Sequence, residues 1–146
     1  MQEENTKSFP CFVVDTSFMA AYLLHGLCSD EFTDCVADIE YVLQNNGQLY
    51  VPQLFWYEIY NVILYKVRKS GSVITKSDAM DIFYDLQKLP VYTEPQSDGE
   101  IRARIFDLAE EHGLSYYDAS YLELARRYNL SLKTYDRDLM KVLKKQ

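Results

Sequence analysis

The sequence predicts an α/β protein, a single domain with a central short parallel sheet of about four to five strands flanked by helices. Three observations predict it. Short apolar runs alternate with helix-length amphipathic segments, an order that builds parallel sheets through right-handed crossovers. With 146 residues, 48% of them apolar, the chain is long enough to bury one core. No internal repeat, low-complexity tract or long linker divides residues 1–146.

The elements follow in order. The polar start MQEENTK leaves residues 1–9 as an expected flexible terminus. Phe12 to Asp15, in CFVVDTSF, reads as a short buried strand, and Ser17 to about Leu27 as a helix. Ser29 or Asp30 is expected to start a second helix, with Phe32, Val36, Ile39 and Leu43 on one face and Asn46-Gly47 at its end. Leu49-Tyr50-Val51 is the second strand. Pro52 suits the first turn of a helix that runs to about Lys69 and stops at Ser70-Gly71. Thr75 begins a helix with Ala79, Ile82, Phe83 and Leu86 inward, and Val91-Tyr92 is a short strand. Ser97 with Glu100 has the spacing of a capping box for a helix ending at Gly113. Ser115 starts the next helix, which ends near Asn129. Leu130 to Thr134 is the last strand, and the tail from Arg137 is helical.

Bulk chemistry narrows the function. Fifteen basic against 22 acidic residues give a net charge of −7, which argues against a general basic surface for nucleic acid. It leaves room for a nucleic-acid enzyme that uses acids to hold metal ions. Three cysteines, with no C-x-x-C pair, suggest a reduced setting and argue against zinc. No apolar h-region or run of about 18 apolar residues occurs, so neither a signal peptide nor a membrane span is expected, and a cytoplasmic location is.

Four carboxylates stand where carboxylates are costly. Asp15 ends the apolar run FVV, and Asp136 ends LSLKTY. In parallel sheets, sites form beyond the carboxyl ends of strands. Glu58 has i, i+4, i+8 spacing with Leu54 and Val62, beside the stripe Phe55, Ile59, Ile63. Asp118 shares a helix face with Leu122 and Ala125. Singly, each has a plainer reading. Glu58 fits an arginine-paired glutamate, or one at the edge of the stripe, equally well, and Asp118 fits a capping box with Ser115 slightly better. Asp136 alone fits an N-cap best. Asp15 fits one too, although Thr16 and Ser17 could cap equally well. Together the four would repel one another and raise their pKa values. A divalent cation resolves that, and hard oxygen ligands without a Cys or His cluster favour Mg²⁺ or Mn²⁺. Metal-assisted phosphodiester hydrolysis is the natural chemistry. Thr16, Ser17 and Thr134 could orient the carboxylates or the ion's waters.

Four segments in order, VVDTSF, YEIYNVIL, LSYYDASYLELA and LKTYDRDL, give the chain a resemblance to the PIN-domain ribonucleases. It most resembles the VapC-type toxins of toxin–antitoxin pairs. The segments span nearly the whole chain. The resemblance implies a PIN-like domain, with Asp15, Glu58, Asp118 and Asp136 as metal-binding and catalytic acids. It implies Thr16 and Thr134 as helper hydroxyls and Asn61 as the helix asparagine. It further implies Mg²⁺-dependent cleavage of RNA, a homodimer, and inhibition by a small antitoxin. The charge of −7 suits an antitoxin that sends a basic segment into the acidic site. Residues from Ser70 to Pro95 match no motif.

Other residues take plainer expectations. Lys66, Arg68, Lys69, Lys133 and Arg137 could contact RNA phosphates, though each singly fits a solvated helix face better. Arg126 and Arg127 are expected as surface charges favoured by the helix dipole. Tyr57, Tyr116 and Tyr117, three of 13 tyrosines, could stack on bases, but core or dimer packing is the expectation. Trp56 is expected on the exposed side of its helix, at an interface. His25 and His112 receive no catalytic role. Two rivals remain. Haloacid-dehalogenase-like phosphatases want D-x-D where this chain has Asp15-Thr16-Ser17. A non-catalytic module, receiver-like or adaptor, would use an acidic pocket only to bind a protein.

Overall fold

The computed structural model describes residues 9–28, 32–69, 71–95 and 97–145. The expected start of the second helix at Ser29 or Asp30, the stop at Ser70 and most of the expected flexible terminus lie outside them. Among these described residues four strands form one sheet in the order β3-β2-β1-β4, and every pairing is parallel. They are β1 (Cys11–Val14), β2 (Gln48–Val51), β3 (Val91–Thr93) and β4 (Leu132–Lys133). Among the described residues seven helices flank them: α1 (Thr16–Leu23), α2 (Asp34–Gln44), α3 (Leu54–Arg68), α4 (Lys76–Lys88), α5 (Gly99–His112), α6 (Tyr116–Tyr128) and α7 (Arg137–Lys144).

The inner strand β1 explains its own sequence. It pairs on both edges, and Val13 and Val14 are fully buried, so it is apolar on both faces. The main core gathers β1 and β2 residues with Phe18, Ile39, Phe55, Ile59, Leu122 and Leu139. A smaller apolar cluster joins Leu24, Ile63, Ile74, Ala79 and Ile82 where α3 meets α4. No helix among the described residues is long and apolar enough to cross a membrane.

Local signals set most boundaries. Thr75 caps α4 in a full capping box with Asp78. Gly113, at φ 66°, and Asn129, at φ 54°, end α5 and α6 in the left-handed conformation. Gly47 has a packing reason as well: a Cβ there would sit 1.9 Å from the Pro10 carbonyl oxygen.

Several boundaries differ from expectation. Helix α1 stops at Leu23 rather than near Leu27. Helix α2 turns Cys35, Ile39 and Val42 inward, while Phe32 and Leu43 are exposed. Both sets share Ile39 and a helical period, so periodicity could not choose between them. Asp98, not Ser97, caps α5 by accepting from the Ile101 amide at 2.9 Å, as a negative charge at a helix N-terminus favours. Pro52 stands before the first turn of α3, its carbonyl accepting from Phe55 N at 3.1 Å. Strand β4 keeps two residues, because it pairs only with Val13 and Val14.

Candidate active site

The sheet order places the first half of the site. Strands β1 and β4 are parallel neighbours, so both chains leave the sheet at the same edge. Asp15 follows β1, and Thr134 to Asp136 follow β4. Asp15 is 4% exposed and accepts three hydrogen bonds, as a buried carboxylate must. Ser17 Oγ donates to Oδ1 at 2.7 Å, the Phe18 amide donates to Oδ1 at 3.0 Å, and Thr134 Oγ1 donates to Oδ2. Asp15 is thus the N-cap of α1, a task the sequence also allowed to Thr16 or Ser17. Burial pushes its pKa up, and these three donors only partly offset that.

Two hydroxyls lace the loops together. Thr134 Oγ1 also accepts the Asp136 amide at 2.8 Å, and Ser17 Oγ accepts the Tyr135 amide at 3.0 Å. Asp136 caps α7, accepting from Leu139 N at 3.0 Å. Its plainer role as an N-cap is therefore real, and its carboxylate also lines the cavity described next.

Helices α3 and α6 bring the other two acids. Glu58 is half-buried beside the buried stripe Phe55, Ile59, Ile63. Its partners are hydroxyls, not an arginine: Tyr121 OH donates to Oε1 at 2.6 Å and Thr16 Oγ1 at 3.3 Å. Ser115 caps α6 by accepting the Asp118 amide at 3.0 Å. The Asp118 carboxyl is pushed up to about 6, first by burial, then by the charge of Asp136, with Asp15 and Glu58 adding to it. That like-charge crowding is the electrostatic signature of converging acids.

Asp15, Glu58, Asp118 and Asp136 line one cavity of about 350 Å³, with Thr16, Ser17, Asn61 and Tyr121 in its wall. Among the described residues none of the four acids has an ion-pair partner, the pairs found joining other groups. Nor, among those residues, do three His, Cys, Asp or Glu side chains stand close enough to form a ready-made metal cage. The all-oxygen donor set and the room for water suit a hard cation that keeps part of its hydration shell, as Mg²⁺ does.

The predicted basic residues lie elsewhere. None of Lys66, Arg68, Lys69, Lys133 and Arg137 lines the cavity. Lys133 Nζ pairs with Asp38 at 3.4 Å, and Arg68 borders a separate groove between α3 and α4. Tyr57 is 81% exposed, and Tyr116 and Tyr117 are exposed too, so these three are not core. Trp56 is half-buried rather than on an exposed face, and its Nε1 donates to Thr93 Oγ1 at 2.9 Å.

Arg127 corrects a further expectation. It is no surface charge: its guanidinium reaches Glu94 Oε1 at 2.6 Å and Glu123 Oε1 at 2.8 Å, and both glutamates are buried. Tyr128 OH donates to the other Glu94 oxygen at 2.9 Å. Tyr121 is the site residue that the sequence did not single out. Its signal is the i, i+3 spacing from Asp118 on the inward face of α6. Burial and the adjacent Glu58 raise its phenol pKa, so the hydroxyl stays protonated and donates.

Known proteins share this architecture. The sequence matches the PIN domain family over residues 12–145. Ribonuclease VapC3 of Pyrobaculum aerophilum is 28% identical over 127 residues, 87% of this chain and 90% of the relative. The crystal structure of PAE2754 from Pyrobaculum aerophilum superposes with TM-score 0.64 at 25% identity, covering 89% of this chain and 77% of that one. The crystal structure of Mycobacterium tuberculosis VapC20, a sarcin–ricin loop cleaving toxin, superposes with TM-score 0.59. It covers 90% of this chain and 94% of its own, and at 15% identity it speaks for the fold alone. The sheet order, the acids at its carboxyl edge and the match over nearly the whole length agree: the chain belongs to the PIN-domain family.

Proposed function

We propose that the protein is a metal-dependent endoribonuclease that hydrolyses RNA phosphodiester bonds, and that it is the cytoplasmic toxin of a toxin–antitoxin pair. One observation carries the reading: four acids without an ion-pair partner among the described residues face a single cavity at the carboxyl edge of a parallel sheet. Ribonuclease VapC3, a relative over most of the chain, supports RNA as the substrate.

Asp15, Glu58, Asp118 and Asp136 would hold Mg²⁺ or Mn²⁺. When bound, such an ion lowers the pKa of a water and steadies the phosphate charge. The chain's own residues do the rest. Ser17, Thr134 and the Phe18 amide fix the Asp15 carboxylate. Asp118 lines the same cavity, where its carboxylate can accept the proton of an attacking water. Asn61 stands on the cavity wall, where its amide can donate to a phosphate oxygen. Lys66, Arg68, Lys69, Lys133 and Arg137, outside the cavity, would meet phosphates farther along the strand.

The antitoxin is proposed to lie in the groove of about 550 Å³ between α3 and α4, lined by Tyr60, Leu64, Met80 and Phe83. Asn61 borders both this groove and the acid cavity. A helix in the groove could therefore send a basic side chain onto the acids. Tyr57 also lines this groove, and the exposed Tyr117 would serve a homodimer.

A second reading, a non-catalytic protein-binding module, is favoured by the lack of a ready-made three-acid cage among the described residues. Purified protein, freed of partner, decides between them. RNA cleavage that needs Mg²⁺ or Mn²⁺, stops with chelator and is lost in Asp15→Asn and Asp118→Asn is the expected result. No cleavage of total RNA together with no calorimetric metal binding would leave the module.

A further inference from the structure

Tyr121 lies on α6, three residues after Asp118, and is 1% exposed. A buried phenol hydroxyl needs a partner, and this one has two: Glu58 Oε1 at 2.6 Å and Thr16 Oγ1 at 3.1 Å. An ionised carboxylate only accepts, so Tyr121 spends its single proton on Glu58. The single proton of Thr16 then goes either to the Tyr121 oxygen or to the same Glu58 Oε1, 3.3 Å away. Either way Glu58 is held at Oε1, by Tyr121 directly and by Thr16 directly or through the Tyr121 hydroxyl. Among the described residues no hydrogen bond reaches the other oxygen, Oε2. The last torsion of a glutamate is broad and two-fold, so nothing in Glu58 itself chooses which oxygen faces the cavity.

We propose that Tyr121, backed by Thr16, is a positioning residue that holds Glu58 by Oε1 and leaves Oε2 as the atom presented to a divalent cation. The inference rests on the reading of the cavity as a cation site and deepens it. It assigns Thr16 to Glu58, whereas Ser17 and Thr134 serve Asp15. The hydroxyl is what matters, because the ring of Tyr121 would pack in the same place as phenylalanine.

Calorimetric titration of Mn²⁺ into the full chain tests it, using wild type, Tyr121→Phe, Glu58→Gln and the double variant. Tyr121→Phe is expected to weaken Mn²⁺ binding about 10- to 100-fold, the usual cost of losing a ligand's support. In the Glu58→Gln background the same change is expected to cost less than about 2-fold, because the two residues act as one. Thr16→Val is expected to show the same dependence on Glu58 with a smaller loss, and it serves if Tyr121→Phe fails to fold. Unchanged affinity in Tyr121→Phe, or a loss that adds in full to that of Glu58→Gln, overturns the positioning role and leaves the cation site standing. No Mn²⁺ binding by the wild type overturns both.

Discussion

Thr134 donates its hydroxyl proton to Oδ2 of Asp15, a residue 119 positions earlier in the chain. Its oxygen also accepts the amide of Asp136 at 2.8 Å. One side chain at the end of β4 thereby fixes two acids of the cavity. Thr134→Val keeps the shape and removes both bonds, leaving a buried carboxylate short of a donor. A loss of about 1–3 kcal/mol is expected, read from urea unfolding, with Thr134→Ser retaining most of the stability. A Val variant as stable as wild type would show that the pair is dispensable.

Stability of the metal-free protein should carry the mark of Asp118. Its folded-state pKa, about 6, lies above the ordinary 3.8, so the folded chain binds more protons than the unfolded one between those values. The group therefore favours folding at acid pH, and that contribution fades as pH rises through about 6. Asp118→Asn is expected to be more stable than wild type above pH 7, by about 1 kcal/mol after solvent screening. The difference should vanish near pH 4. Denaturant midpoints across that range, measured in chelator, check the sign.

Arg127 compensates two buried acids. Arg127→Met would leave Glu94 without a guanidinium and Glu123 with only that of Arg104, 3.6 Å from its Oε1, at an expected cost of about 3–5 kcal/mol. Adding Glu94→Leu to that variant should recover part of the loss, since the acid left without a cation is removed. A single variant that unfolds like wild type in urea would sink this account.

Tyr135 ties α2 to the site. Its ring stacks on Phe18 at 4.9 Å and on Phe32 at 4.2 Å. Its hydroxyl accepts the Cys35 amide at 3.1 Å and donates to Asp34. In Tyr135→Phe the stacking stays and the bonds go. Hydrogen exchange at the Cys35 amide is expected to speed up by about 10-fold, about 1 kcal/mol of local protection, while amides of β1 are unchanged.

The legible parts of this protein share a cause. Thr75, Ser115, Gly113 and Asn129 mark helix ends through bonds or backbone angles that involve a few neighbouring residues, so a local reading finds them. The α2 face was ambiguous because two helical registers share Ile39, and packing against α1 and β2 selected Cys35 and Val42. The burial of Trp56 and Arg127 was illegible for a like reason. Their partners Thr93 and Glu94 lie 37 and 33 residues away.

By itself the sequence determined the alternation of strands and helices, the parallel α/β class, and four acids placed where carboxylates are costly. Tertiary structure alone decided which groups serve which acid. Ser17 and Thr134 hold Asp15, Thr16 and Tyr121 hold Glu58, and Asp118 feels Asp136 first. Hydrophobic period and capping are written within one or two helical turns. A hydrogen bond between residues 63 or 119 positions apart exists only once the sheet has set β1 beside β4 and packed α3 and α6 over the same edge.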